Sequence, residues 1–380
     1  MVLYLWRYVP TNNYITQEPY YVSDKAIDDF NYLRWSENYY KPGEFKLKIN
    51  ATPAMLEYFK SNDNLIISRN DTNHAMIVET VNLKTNAKSG DTLEITGSSL
   101  ESALNQRAIE QTYTLSGKAD DLIYHFIKEN AGNYWYYNTD AQHLPLYKMR
   151  YINMLGIDDH TALGGGDAEV QPFGVRLGVF VSAVCQAFGF GFKILFEDGR
   201  MKYSCYKGLD RSINQSDRNC VIFSDDYANL GNTDFLIDNR TYFNRITVSG
   251  EGEGKDRVTA STGMSLKLGG MALREKFLDK KSISSNSDGA TNYNRLLGSI
   301  ANAELDASKK SFNFTGNVLP GGQFEYRKHY DLGDTVTVRN GYGITGSAIV
   351  SEVVETVDAT GYRVIPTFTE WRIDENDGTD

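Results

Sequence analysis

The chain has 380 residues and a formal net charge of -10, so it is longer than one hydrophobic core usually serves and too acidic for non-specific attraction to nucleic acid or an anionic membrane. With 41% apolar and 23% charged residues it has the balance of a folded protein and not of a disordered one. No apolar run approaches the roughly 18 residues of a membrane span, and the start, Met1-Val2-Leu3-Tyr4-Leu5-Trp6-Arg7-Tyr8, alternates like a strand without the basic flank of a signal peptide. A soluble protein made in the cytosol is expected. The 25 Tyr against 4 Trp suit strands and wet protein-protein surfaces, and 8 Pro leave little room for extended linkers.

Residues 1–50 read as strands, most clearly Glu44-Phe45-Lys46-Leu47-Lys48-Ile49, with Phe45, Leu47 and Ile49 on one face. Thr52-Pro53 starts a short helix carrying Met55, Leu56 and Phe59, with Pro at the first helical position. Three strand patterns follow through residue 97, and Ser98-x-x-Glu101 has the spacing of a capping box for a helix with Leu100 and Leu104 on one side. Ala119 to Asn130 predicts an amphipathic helix with Leu122, Ile123, Phe126 and Ile127 inward. Leu177, Phe180, Val181, Val184 and Phe188 mark a second helix, stopped by Gly189. Strands 192–196 and 201–206 flank the hairpin signal Glu197-Asp198-Gly199-Arg200. A further hairpin is expected from 241–249 and 257–261, then a helix with Leu297, Ala301 and Leu305 four apart.

The end of the chain repeats an earlier stretch. Gly333-Asp334-Thr335-Val336-Thr337-Val338, then Ala348-Ile349-Val350-Ser351-Glu352, then Gly361-Tyr362-Arg363-Val364 echo Asn62-Asp63-Asn64-Leu65-Ile66-Ile67, then Ala75-Met76-Ile77-Val78-Glu79, then Gly90-Asp91-Thr92-Leu93. Each reads as three strands joined by polar turns, with Asp opening the first. The expected fold is therefore α+β, mainly β, with one β-unit used twice. The expected domains are 1–113, an inserted α+β block at 114–220, a returning β-segment at 221–265, and a helix plus the second copy at 266–380.

Candidate chemistry fails on spacing. Gly250, Gly252 and Gly254 precede a strand and carry Glu251 and Glu253 where a phosphate would sit. His143 with Asp158-Asp159-His160 has no fixed ligand spacing, and Ser284-x-Asn286-x-Asp288-Gly289 lacks the closing Glu of a calcium loop, Arg295 standing there. Cys185, Cys205 and Cys220 read as free thiols. No hydrolase motif is present, so no catalytic, metal or cofactor site is expected. The aromatic cluster Tyr134-Trp135-Tyr136-Tyr137 is the candidate contact site, against a partner subunit or against a cell-wall saccharide.

The residues Pro42-Gly43-Glu44-Phe45-x-Leu47, Ala51-Thr52-Pro53, Ala75-Met76-Ile77-Val78-Glu79, Gly90-Asp91-Thr92-Leu93-x-Ile95-x-Gly97-Ser98-Ser99-Leu100-Glu101 and Tyr330-Asp331-Leu332-Gly333-Asp334-x-Val336 carry a resemblance. The chain resembles the tail hub, or tail-associated, proteins of siphophages infecting Gram-positive bacteria, similar in fold to the baseplate hub of contractile-tailed phages. The likeness is densest over 40–110 and 325–371. It implies two similar β-barrel-like tube domains with an inserted α+β domain and a homotrimer at the virion tail tip. The implied partners are the hexameric distal tail protein, the tape measure protein and receptor-binding proteins. The implied role is gating of DNA and tape-measure passage during host attachment. Longer relatives carry peptidase or fibre modules after this region. The chain ends soon after Trp371, so a hub without enzymatic activity is expected.

Overall fold

A computed structural model of the chain describes all residues except 10–19, 89, 133–151, 153–154, 158–161, 266–269, 282–288, 320–322, 343–344 and 374–380. It comprises two compact units, one of residues 1–233 and 315–380, the other of 234–314. In the first, β1 (Leu3–Val9), β2 (Tyr20–Ile27), β3 (Tyr32–Asn38) and β4 (Glu44–Asn50) precede helix α1 (Pro53–Ser61), then β5 (Ile66–Arg69), β6 (Thr72–Lys84) and β7 (Thr92–Ser99). A 3-10 turn at Leu100–Gln106 leads to β8 (Leu115–Lys118), α2 (Ala119–Asn130), β9 (Leu155–Ile157), β10 (Asp167–Val170), α3 (Leu177–Phe188), β11 (Gly191–Glu197), β12 (Arg200–Tyr206) and β13 (Ile222–Ser224). β14 (Leu230–Asp238) crosses into the second unit, which holds β15 (Arg245–Ser249), β16 (Thr259–Gly263), β17 (Glu275–Asp279) and α4 (Gly289–Ala307). β18 (Ser311–Val318) returns, and β19 (Thr335–Arg339), β20 (Thr345–Asp358) and β21 (Gly361–Ile373) complete the first unit.

The predicted local signals act as their chemistry requires. Thr52 caps α1 by accepting from the Met55 amide at 3.2 Å, and Phe59 turns into the core. Phe45, Leu47 and Ile49 on β4 are buried with Leu3, Leu33, Trp35, Ile67, Met76, Leu93 and Ile95, which forms the core of the first β-copy. Each such aliphatic removed from water contributes about 1.5–3 kcal/mol, which is why the alternation sets the register. Leu122, Ile123, Phe126 and Ile127 of α2 meet Leu177, Val181 and Cys185 of α3 and the β11–β12 hairpin in a second cluster. Asp198 (φ 48°) and Gly199 (φ 77°) give that hairpin its left-handed two-residue turn. In the second unit β15 pairs antiparallel with β16 as predicted, and in parallel with β17, which the sequence pattern did not reveal. Ile246, Val248, Tyr293, Leu297 and Ala301 fill its core.

Two expectations are corrected. The Ser98-x-x-Glu101 signal is not a capping box: the segment is a 3-10 turn whose N-cap, Ser99, makes no side-chain cap bond. The Ser99 hydroxyl instead accepts from the Gly43 amide at 2.9 Å, and the buried Glu101 carboxylate accepts from the Ile194 amide at 2.8 Å, tying the turn to β11. Barrel closure is also not seen. Among the described residues the strands form an open sheet along the path β14-β18-β21-β20-β3-β4-β7-β6-β11-β12-β9. Each β-copy joins the other along this path instead of pairing back on itself.

Candidate assembly interface

The repeat read from the sequence is a repeat of structure. β5-β6-β7 and β19-β20-β21 are antiparallel meanders of one design. Each begins after a left-handed residue, Asn64 (φ 56°) or Gly333 (φ 83°), and each ends its second turn on a left-handed glycine, Gly90 (φ 81°) or Gly361 (φ 112°). The Val78 amide donates to the Leu65 carbonyl and the Val350 amide to the Asp334 carbonyl, both at 2.9 Å. The long strand bulges at the same place, between Val78 and Thr80 in one copy and between Val350 and Glu352 in the other. The backbone thus matches Leu65 to Asp334, a shift of two residues from the sequence alignment, which set Asp63 there. Only a short turn separates β5 from β6, whereas residues 340–344 separate β19 from β20, and that difference displaces the first strand.

Asp334 has a role that Leu65 cannot share. Its buried carboxylate accepts from the Leu209 amide (2.7 Å), Arg211 Nε (2.8 Å) and the Asp331 amide (3.0 Å). The 207–211 segment is thereby fastened to the start of β19.

The two copies meet at β20 and β3, antiparallel, with Glu352 opposite Asn38 and Val357 opposite Leu33. The Tyr39 amide extends the ladder to the Ser351 carbonyl at 2.8 Å. Ionised side chains cluster at this junction. Arg327 Nη2 donates to Glu37 Oε1 (2.5 Å) and to Glu355 Oε1 (2.6 Å). Arg69 Nη2 donates to Glu355 Oε2 (2.8 Å) and to Asp71 Oδ2 (2.7 Å), while its guanidinium lies over the Trp35 ring, 5.3 Å from the centroid. Tyr326 OH donates to Glu37 Oε2 and Tyr362 OH to Glu355 Oε2. Trp35 Nε1 also donates to Glu37 Oε1 at 3.1 Å, and His74 Nε2 lies 3.7 Å from Glu37 Oε2. Glu37 and Glu355 are 3% and 2% exposed, so their charges depend on protein partners in place of water. Burial pushes the Glu37 carboxyl up, but its interactions with nearby His74 and Arg327 and the hydrogen bond from the Tyr326 hydroxyl outweigh it and bring it down to about 2. Burial and the Glu37 charge hold the Tyr326 phenol well above its ordinary value, as a donor.

This cluster was not singled out in the sequence, although a signal existed. Glu355 falls in phase with Val353 on β20, on the inward face where a carboxylate needs partners. Tyr134, Trp135, Tyr136 and Tyr137 lie outside the described residues, as do His143, Asp158, Asp159 and His160 and most of the 284–289 loop. Cys185, Cys205 and Cys220 are free, Cys185 being buried. Among the described residues no group of three or more His, Cys, Asp or Glu side chains is arranged to hold a metal, and no helix is long and apolar enough to cross a membrane.

Residues 17–368 match the sequence profile of a family described as Siphovirus ReqiPepy6 Gp37-like protein. Among solved structures the chain is similar to the 43 kDa tail protein of prophage MuSo2 from Shewanella oneidensis, with a TM-score of 0.56 at 10% identity over 97% of this chain and 98% of that one. It is also similar to a tail protein from Neisseria meningitidis MC58, with a TM-score of 0.53 at 13% identity over 91% and 94% of the two chains. Curated protein sequences give no match. The structural likenesses establish a shared fold over nearly the whole chain.

Proposed function

The chain belongs to the Siphovirus ReqiPepy6 Gp37-like protein family, and from that premise we propose that it is a structural, non-enzymatic component of a phage tail, the hub in which three copies close the distal end of the tail tube. The observation that carries this reading is the repeated meander, with its bulge and left-handed turns in matching places and both copies in one sheet. Three chains with two such modules each present six similar surfaces, so a three-fold ring can seat on a six-fold tube. In this reading residues 1–113 and the second copy within 266–380 are the tube domains, with 114–220 an insertion between them. The ring docks on the hexameric distal tail protein, and the tape measure protein and DNA pass through it. Receptor-binding proteins attach around it at the tail tip. The net charge of -10 supports a passage whose wall does not hold DNA.

Light scattering of the purified protein, alone and mixed with its distal tail protein, tests the reading, together with electron-microscopy class averages. The expected result is a mass of three chains and a ring that caps the hexamer. A stable monomer that ignores the distal tail protein refutes it.

A further inference from the structure

Among the described residues the sheet contains an occupied junction and, one module away, two unoccupied halves of another. Its path runs β14-β18-β21-β20 and then β3-β4-β7-β6, so each module contributes a four-strand run and the β20–β3 contact welds one run to the next. The bulge correspondence sets Thr80 on Glu352 and carries Val81 onto Val353, Leu83 onto Glu355 and Lys84 onto Thr356. β20 uses this stretch to pair with β3. On β6 the same stretch pairs only with β7 among the described residues, since β5 and β11 reach β6 no further than Ile77 and His74. The burial differs accordingly. Val353, Glu355 and Thr356 are buried, whereas Thr80, Asn82, Leu83 and Lys84 are exposed.

At the far end of the path β14 stands where β3 stands in the other module. Among the described residues it pairs with β18 alone. The aromatic pairing repeats as well: Phe235 of β14 meets Phe314 of β18 with ring centroids 6.4 Å apart, as Trp35 of β3 meets Phe45 of β4 at 6.3 Å. Leu236 and Ile237 on this strand are 48% and 52% exposed, and Leu83 on β6 is 41% exposed. Two strand edges with exposed apolar side chains and no covering element among the described residues attract strand pairing.

We propose that the β6 edge from Thr80 to Lys84 receives β14 of a second copy of this chain, antiparallel, repeating between chains the β20–β3 junction present within one. The contact is head-to-tail, since the two edges differ, and such contacts close into a ring when the rotation per chain permits. Three chains then give six four-strand runs in a continuous sheet. This inference rests on the trimeric reading above and locates its interface.

Hydrogen exchange on the assembled wild-type protein tests it without mutation. The backbone amides of residues 80–84 that point away from β7 are expected to exchange about 100-fold slower than unprotected amides, because they are paired. A second measurement uses disulfide trapping in a Cys205→Ser, Cys220→Ser background: by the register of the β20–β3 junction, Asn82→Cys combined with Leu236→Cys, or Val81→Cys with Ile237→Cys, is expected to give covalently linked chains on oxidation, while each single variant gives none. A confirmed trimer in which those amides exchange freely and neither pair cross-links overturns the inference and leaves the hub reading standing. A monomeric wild type overturns both.

Discussion

Replacing Arg327 by Met probes the charge cluster at the weld between the modules. Arg327 is the only described side chain that donates to both Glu37 and Glu355, and the substitution keeps its length and apolar stem while leaving two nearly inaccessible carboxylates with fewer partners. Breaking a buried ion pair from one side costs about 3–5 kcal/mol, and that is the loss expected at pH 7. The wild-type carboxyl of Glu37, depressed from 4.5 to about 2, corresponds to roughly 3 kcal/mol at about 1.4 kcal/mol per unit, which agrees in scale. The sign follows from the direction. A depressed folded value means stability that is fully present above about 4.5 and is lost as the pH falls through about 2. In Arg327→Met the pull of the guanidinium is gone while the burial remains, so Glu37 protonates at a higher pH than in the wild type and sheds its under-compensated charge. The gap between wild type and variant is therefore widest at neutral pH and narrows below about pH 4. Urea unfolding followed by Trp fluorescence, Trp35 being buried beside the cluster, measures the gap at each pH. Adding Glu37→Gln to Arg327→Met should restore part of the loss. A gap under about 1 kcal/mol at pH 7, or one that does not change with pH, would refute the reasoning.

Two other substitutions test how the modules are held. A Cβ at Gly97 would lie 1.8 Å from the Ile77 carbonyl oxygen and 2.8 Å from the Phe45 ring, so Gly97→Ala should cost about 3 kcal/mol or more, read as a lowered melting temperature. Asp334→Ala removes the acceptor of the Leu209 and Asp331 amides and of Arg211, and should destabilise the first unit by about 3–5 kcal/mol while speeding amide exchange at Leu209; exchange there at the wild-type rate would show that the carboxylate does not fasten that segment.

The local elements were legible because the physics that sets them is local. Pro53 after Thr52, Gly189 after Phe188 and Asp198-Gly199 each specify a backbone conformation within a few residues. The duplication was legible because the strand alternation and turn glycines recur, and its two-residue slip in the first strand arose where a loop differs in length between the copies. Pairing between distant strands was not legible. Nothing in the sequence of β3 says that β20 lies beside it, and the partners of Glu37 lie at positions 326 and 327, far along the chain. Glu101 shows the opposite failure. A short-range pattern suggested a helix cap, and a long-range demand from the Ile194 amide took the carboxylate instead.

β14 and β18 are neighbours in the sheet although the chain makes β15, β16, β17 and α4 between them. The polypeptide therefore leaves and rejoins the sheet at adjacent points, as it would around an ordinary hairpin. The ends of an excursion so anchored are already together, so its length adds little loop entropy to the scaffold. Residues 239–310 can then be exchanged for another folded cassette, or for a tight turn, with the β14–β18 ladder kept intact. Relatives are expected to diversify at this point before they change the meanders.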